Sequence, residues 1–211
     1  MQNEKNRDKE APKETIGRLP LYLRRLEHFQ KQGKEWVTSR EFVEKLPGIR
    51  SSKLRKDLSY FGDFGTQGRG YNVSRFITSL EEVLDLDSRR RAALVGVGRL
   101  GTALLNYPGF DRWGFDLCLA FDRDPEIIGS QVGGIKVDSS EEMKEKLEAS
   151  RIDIGIIAVP GDQAQPVADD LVSGGVKGIV NFSPVLLDTT RDVRLTKVDI
   201  TSTLEALTFY C

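Results

Sequence analysis

The chain has little sulfur and almost no imidazole: two cysteines, Cys118 and Cys211, and one histidine, His28, in 211 residues. Two thiols exclude a disulfide framework, and with one imidazole they leave no Cys/His set at metal-ligand spacing, so no metal is expected. Apolar runs reach about seven residues. A helix needs roughly 20 to cross a bilayer, so no membrane segment is expected. The opening residues, MQNEKNRDKEAPKE, are charged and lack the apolar stretch of a secretory signal. A cytoplasmic location follows as the expectation. What is present is enough to fold: 39% of residues are hydrophobic, 30% charged and 20 are glycine. The length suits one large domain or two small ones.

The net charge of −1 hides an asymmetry. Residues 1–85 carry 17 basic and 13 acidic side chains, whereas residues 86–211 carry 14 and 19. Positive charge concentrates between residues 50 and 75, where six basic residues face two acidic ones. A basic patch on a near-neutral chain points to a polyanion contact confined to one domain; a solvated helix face is the plainer alternative.

Residues 1–14 read as a disordered arm. From there Ile16, Leu19, Leu23, Leu26 and Phe29 recur at helical spacing, and Gly33 ends the run. Thr38-Ser39-Arg40-Glu41 has the form of a capping box, opening a short helix to about Leu46. Pro47-Gly48 breaks it, and Ser51 or Ser52 is expected to cap a third helix, SSKLRKDLSYF. Three helices with tight turns suggest a helix-turn-helix. The following GDFGTQGRGYNV, with glycines at 62, 65, 68 and 70, suits a twisted hairpin, which makes the unit a winged helix over residues 15–86. Residues 74–86 return to helical spacing.

From Ala92 the pattern alternates. Apolar strands ALVGV, FDLCLAFD, GGIKV, IDIGIIAVP and KGIVNF are separated by helices, one of them opened by a second expected capping box at Ser139 and Glu142. VRLTKVDI is a further candidate strand. This order predicts an α/β domain with a doubly covered parallel sheet over residues 87–198, and TSTLEALTFYC reads as a terminal helix over 199–211.

Gly96-Val97-Gly98-Arg99-Leu100-Gly101 is GxGxxG, lying between a strand and a helix, with Asp122 at the end of the next strand 21 residues after Gly101. That context marks a Rossmann dinucleotide site. The first glycine permits the turn, the second lets a pyrophosphate approach, and the third lets helix and strand pack. Helix N–H groups face the phosphates. Asp122 accepts from ribose hydroxyls and disfavours a 2′-phosphate, although Arg123 beside it is the kind of residue that admits NADP. NAD(H) is the expected cofactor. Ala158-Val159-Pro160 and Asn181-Phe182-Ser183-Pro184 end two further strands on the same side of the sheet, where a small apolar lining suits a nicotinamide.

Hydride transfer to a carbonyl needs a proton donor. His28 lies on the first helix, no Ser-Tyr-x-x-x-Lys set is present, Cys118 sits within a strand, and no substrate domain follows the sheet. Sensing is therefore expected rather than turnover, and no catalytic residue is assigned.

Together the stretches GRLPLYLRRL, RKDLSYFG, FGTQGRGYNV, ALVGVGRLG, NYPGF, FDRDP, AVP, NFSPV and the tail from VDI resemble the Rex family of bacterial redox-sensing repressors, from about Ile16 to Tyr210. The resemblance implies a homodimer with a C-terminal helix swapped between subunits, an inverted-repeat operator as partner, and release when NADH replaces NAD⁺. It implies that Gly96, Gly98, Arg99, Leu100 and Gly101 hold the pyrophosphate and Asp122 the ribose. The resemblance further implies that Pro160 and the 181–184 loop border the nicotinamide, that Tyr107 and Asp199 form a redox-dependent contact between subunits, and that Arg55 and Lys56 touch DNA. The wing departs from the family, with Gln67 where a basic residue is common and Arg69 where an apolar one is common; Ile200 stands where Leu or Phe is frequent.

A recognition helix in the major groove places Lys53, Arg55 and Lys56 near phosphates or base edges, with a basic wing tip, Gln67 and Arg69, toward the minor groove. Ser51 and Ser52 are read as caps or phosphate contacts, and Tyr60 as core in preference to a base stacker. NAD⁺ and NADH differ by one ring charge, which an apolar pocket disfavours, so NADH is expected to seat more deeply. Two rivals remain: a small NAD-dependent oxidoreductase with a helical accessory domain, and a regulator binding another adenine nucleotide such as CoA.

Overall fold

The computed structural model describes residues 11–211. The arm expected over residues 1–14 lies, for residues 1–10, outside the described residues; Lys13 and Glu14 already belong to the first helix. The chain forms two units, one ending at Asp87 and the other running from Ser88 to Cys211.

In the first unit, helix α1 (Lys13–Lys31) buries Thr15, Leu19, Tyr22, Leu23, Leu26 and Phe29. Ile16 was expected on this face and instead stands 47% exposed, because the buried stripe runs through Thr15 and Tyr22. Strand β1 (Trp36–Val37) leads to α2 (Ser39–Val43), whose capping box forms: Thr38 accepts from the Glu41 amide at 3.2 Å and Glu41 accepts from the Thr38 amide at 3.4 Å. Helix α3 (Ser51–Leu58) follows a turn through Gly48. Its cap position is Arg50, with no side-chain cap, so Ser51 and Ser52 are helix residues rather than caps.

Strand β2 (Tyr71–Asn72) pairs antiparallel with β1, and α4 (Val73–Leu84) starts on the Asn72 side chain, which accepts from the Arg75 amide. The expected wing hairpin is reduced to a tip: Thr66 and Gly70 form one antiparallel bridge, and the sheet partner of its outgoing arm is β1, ahead of the helix-turn-helix. An aromatic cluster closes this core, with Phe76 ring centroids 5.1 Å from both Phe64 and Tyr71 and 5.8 Å from Phe42.

The second unit is a seven-stranded sheet of β3 (Arg90–Val95), β4 (Phe115–Asp122), β5 (Gln131–Val132), β6 (Ile135–Ser139), β7 (Ile154–Ile157), β8 (Gly178–Asn181) and β9 (Arg194–Lys197). The order is β5-β6-β4-β3-β7-β8-β9, parallel except for β5. Without β5, this is the strand order of the dinucleotide-binding fold. The segment expected as one strand, GGIKV, is instead the turn and second arm of a β5–β6 hairpin. One face packs under α7 (Met143–Ser150) and α8 (Gly161–Ser173), through Met143, Leu147, Ala164, Ala168 and Leu171. The other packs Leu94, Val97, Ala120, Val137 and Ile156 around Leu105 of α5 (Arg99–Leu105). A short helix, α6 (Gly109–Arg112), precedes β4. The second capping box does not form: Ser139 accepts from the Glu141 amide and caps a 3-10 turn before α7. Helix α9 (Ile200–Thr208) ends the chain. No helix among the described residues is long and apolar enough to cross a membrane.

Candidate functional site

The sheet register assembles one edge. Phe121 lies opposite Val95, Val95 opposite Ile157, Ile157 opposite Asn181, and Asn181 opposite Lys197. The carboxyl ends of five strands thus form one row, and the loops leaving them are neighbours.

The loop leaving β3 holds the three glycines, which do different work. Gly96 has φ +98°, and a Cβ there would lie 2.6 Å from the Ala158 carbonyl oxygen. A Cβ at Gly101 would overlap the Gly96 carbonyl. Both glycines are required by the protein's own packing. Gly98 is not: its φ is −69°, and a Cβ would meet nothing within 4 Å. The protein leaves this space open beside the start of α5, where Arg99 and Leu100 are exposed and no side chain caps the helix. An open cradle bordered by amide donors fits a pyrophosphate.

Asp122 ends β4 half-buried. Its Oδ2 accepts from the Val97 amide at 2.6 Å, and its Oδ1 from the Arg123 and Asp124 amides at 2.7 and 2.9 Å. The carboxylate expected only for a ribose therefore also ties the glycine loop to the β4 turn; each oxygen retains lone-pair capacity for a hydroxyl. Arg123 is exposed.

Val159 is half-buried and Pro160 exposed at the start of α8. In the loop after β8, Asn181 and Ser183 are buried. Asn181 Nδ2 donates to the Val185 carbonyl at 3.0 Å, and its Oδ1 accepts from the Ser183 amide and hydroxyl at 2.8 and 2.6 Å. Their polar groups shape the loop from within, leaving Phe182 half-buried and Pro184 exposed. Cys118 is half-buried against the Ala92 carbonyl, and burial pushes its thiol pKa up, away from reactivity.

In the first unit, α3 presents Ser52, Lys53, Arg55 and Lys56 to solvent, with Ser59 exposed at its C-cap, and buries Leu54, Asp57 and Leu58. Arg55 donates to Ser39 Oγ at 3.1 Å, and the Ser51 hydroxyl to the Ser39 carbonyl at 3.2 Å, so both pin α3 against α2. Tyr60 is half-buried and Gln67 exposed. Arg69 stacks its guanidinium 3.9 Å from the Trp36 ring centroid, which anchors the wing cation on β1. A groove of about 540 Å³ runs between the end of α3 and this wing, lined by Arg55, Ser59, Phe64, Gln67 and Arg69.

The orientation of α3 depends on a residue the sequence reading passed over. Asp57, fully buried, accepts from Arg18 Nε and Nη2 at 2.6 and 2.8 Å, Tyr22 Oη at 2.7 Å and Thr15 Oγ1 at 3.1 Å, with Lys53 Nζ at 3.4 Å. Burial is the largest single influence on its pKa and raises it. The hydrogen bonds from Arg18, Tyr22 and Thr15 and the Arg18 charge together outweigh burial and bring the value to about 2. An acid on the apolar side of α3, facing Thr15, Arg18 and Tyr22 at helical spacing on α1, was the available signal.

Tyr107 is 56% exposed and packs edge-on to Phe110, beside a cleft of about 430 Å³. Asp199 caps α9, accepting from the Ser202 amide at 3.0 Å. Along α9 and just after it, Ile200, Leu204, Leu207, Phe209 and Tyr210 are all more than half exposed. Among the described residues, no three His, Cys, Asp or Glu side chains group as a metal site.

Two family models match the chain: a putative DNA-binding protein N-terminus over residues 10–59 and a CoA binding domain over residues 87–185. The redox-sensing transcriptional repressor Rex of Clostridium beijerinckii is 42% identical over 194 residues, covering 92% of each chain. That of Syntrophomonas wolfei is 42% identical over 199 residues, covering 94% of each. A crystal structure of RSP with β-NAD⁺ and operator DNA superposes with a TM-score of 0.89 at 38% identity, covering 94% of this chain and 91% of that one. RSP with β-NADH gives 0.87 at 35%, covering 95% and 94%. With a glycine cradle on one unit, a basic helix-turn-helix on the other, and relatives matched along nearly their whole length, this chain belongs to the Rex family of redox-sensing transcriptional repressors.

Proposed function

We propose that this chain, as a homodimer in the cytoplasm, holds an inverted-repeat operator through α3 and the wing and lets it go when NADH occupies the glycine loop. The observation that carries the proposal is the open face at Gly98, the one glycine of GxGxxG whose missing side chain the protein's own packing does not demand.

Gly96, Val97, Gly98, Arg99, Leu100 and Gly101 would hold the pyrophosphate, Asp122 the adenosine ribose, with Arg123 beside it. Val159, Pro160, Phe182 and Pro184 would border the nicotinamide, with Asn181 and Ser183 setting the loop from behind. When bound, the dinucleotide supplies a ring that is cationic only in its oxidised form. A loop whose buried polar groups already bond each other offers that cation little, so it favours the neutral form. On DNA, Ser52, Lys53, Arg55 and Lys56 would face the major groove, Gln67 and Arg69 the minor groove, with Ser51 and Tyr60 supporting. Tyr107 and Asp199 would form the contact between subunits that changes with redox state, and the apolar face of α9 would be covered by the second subunit.

The match to a CoA-binding model over residues 87–185 favours a second possibility, a CoA-responsive regulator. Thermal shifts with NADH, NAD⁺, NADPH and CoA separate the two, since selective binding at 100 Kd stabilises by about 2.7 kcal/mol. NADH giving the largest shift, together with loss of a gel-shifted inverted repeat as the NADH/NAD⁺ ratio rises, supports the proposal. A shift with CoA alone overturns it.

A further inference from the structure

Lys197 is the last residue of β9. Arg194 and Thr196 of that strand are exposed, whereas Leu195 and Lys197 are half-buried. Lys197 stands directly opposite Asn181 in the row of strand ends. Its ammonium has two partners: it donates to the Pro184 carbonyl at 3.3 Å and pairs with Asp199 Oδ2 at 2.9 Å. Pro184 belongs to the loop that Asn181 shapes, and the Val198 amide donates to the Asn181 carbonyl at 2.8 Å. Asp199 is the cap of α9, held below the usual carboxylate range first by the Ser202 amide and then by Lys197. The side chains of Lys197 and Asp199 are 26% and 29% exposed, so the pair is partly shielded from water. One compact, three-donor charge therefore joins the loop beside the dinucleotide to the first turn of an otherwise exposed helix.

We propose that Lys197 is a positioning residue that couples the 181–184 loop to α9. Any shift of the Pro184 carbonyl on occupancy alters the hold of Lys197 on Asp199, and so the start of the terminal helix. This rests on the proposed function, in which NADH weakens operator binding. A ligand moves such an equilibrium only through contacts that differ between the two states, and Lys197 supplies one.

The test uses the full-length protein. Operator affinity is measured by fluorescence anisotropy without dinucleotide and with saturating NADH; the ratio is the coupling factor, equal by linkage to the effect of operator on NADH affinity. NADH affinity of the DNA-free protein is read from nicotinamide fluorescence. Lys197→Met keeps the alkyl stem and removes charge and donors; Lys197→Arg keeps both. We expect Lys197→Met to cut the coupling factor by about tenfold, with DNA-free NADH affinity and NADH-free operator affinity within about threefold of wild type, and Lys197→Arg to restore most of the coupling. Coupling unchanged in Lys197→Met overturns the proposal. So does coupling lost together with NADH affinity, which makes Lys197 part of the pocket. If Lys197→Met does not fold, Lys197→Gln is judged by the same criteria. A wild-type coupling factor of one refutes the underlying function instead, and is distinguishable because it needs no variant.

Discussion

Replacing Asp57 by Asn should unlock α3 from α1. The carboxylate is 1% exposed and collects two Arg18 donors, the Tyr22 and Thr15 hydroxyls and the Lys53 ammonium. An amide offers one acceptor oxygen and turns an NH₂ toward groups that are themselves donors. Breaking a buried pair by removing one partner costs about 3–5 kcal/mol; Arg18 is 20% and Lys53 45% exposed, so water relieves part of this and the lower end applies. The lowered pKa of Asp57, which arises from the same contacts, gives a figure of similar size. A pKa moved from 3.8 to about 2 corresponds to about 2.5 kcal/mol at 1.36 kcal/mol per unit. Because the folded pKa lies below the unfolded one, this contribution is complete above about pH 4 and is lost as pH falls through about 2. Calorimetry of wild type and Asp57→Asn at pH 7 should show the transition of the first unit lowered by about 10 °C or more, at 4–8 °C per kcal/mol for a unit of this size. The second unit's transition serves as the internal control. The gap should close toward pH 2. A variant within about 0.5 kcal/mol of wild type at pH 7, or a gap that persists at pH 2, refutes the reasoning.

Gly98→Ala should leave the melting temperature unchanged and weaken NADH binding about tenfold by fluorescence titration, whereas Gly101→Ala, forced onto the Gly96 carbonyl, should cost about 1–3 kcal/mol or more in urea unfolding. Arg69→Gln should reduce the slope of log operator affinity against log salt by about one, and Trp36→Leu, which removes the platform under Arg69, should weaken operator binding about two- to fivefold. The double substitution Leu204→Glu and Leu207→Glu on the exposed side of α9 should convert the protein to a monomer in sedimentation velocity without unfolding either unit.

What could be read in advance was local. The Thr38–Glu41 box and the glycine spacing at 96, 98 and 101 follow rules that act within a few residues, and both appear in the structure. Strand and helix alternation predicted the sheet because each apolar run had to be covered on both faces. Long-range pairings were hidden. Arg18 and Asp57 lie 39 positions apart, and only the packing of α1 on α3 brings them together. Lys197 is an ordinary basic residue in sequence and acquires meaning from the β8–β9 register. Ser51 and Ser139 mark the limits of cap rules. A serine before a helix competes with its neighbours for the amides, and tertiary bonds decide: Ser51 turned to the Ser39 carbonyl, and Ser139 settled for a 3-10 turn. In the wing, arginine at position 69 instead of 67 was visible, but its use was not, because the Trp36 platform lies on a strand 33 residues earlier.

The most direct measurement is the dissociation constant of the protein for an inverted-repeat operator at fixed salt, taken once with saturating NAD⁺ and once with saturating NADH. The account predicts binding at least about tenfold weaker with NADH. Equal constants with the two forms would contradict it.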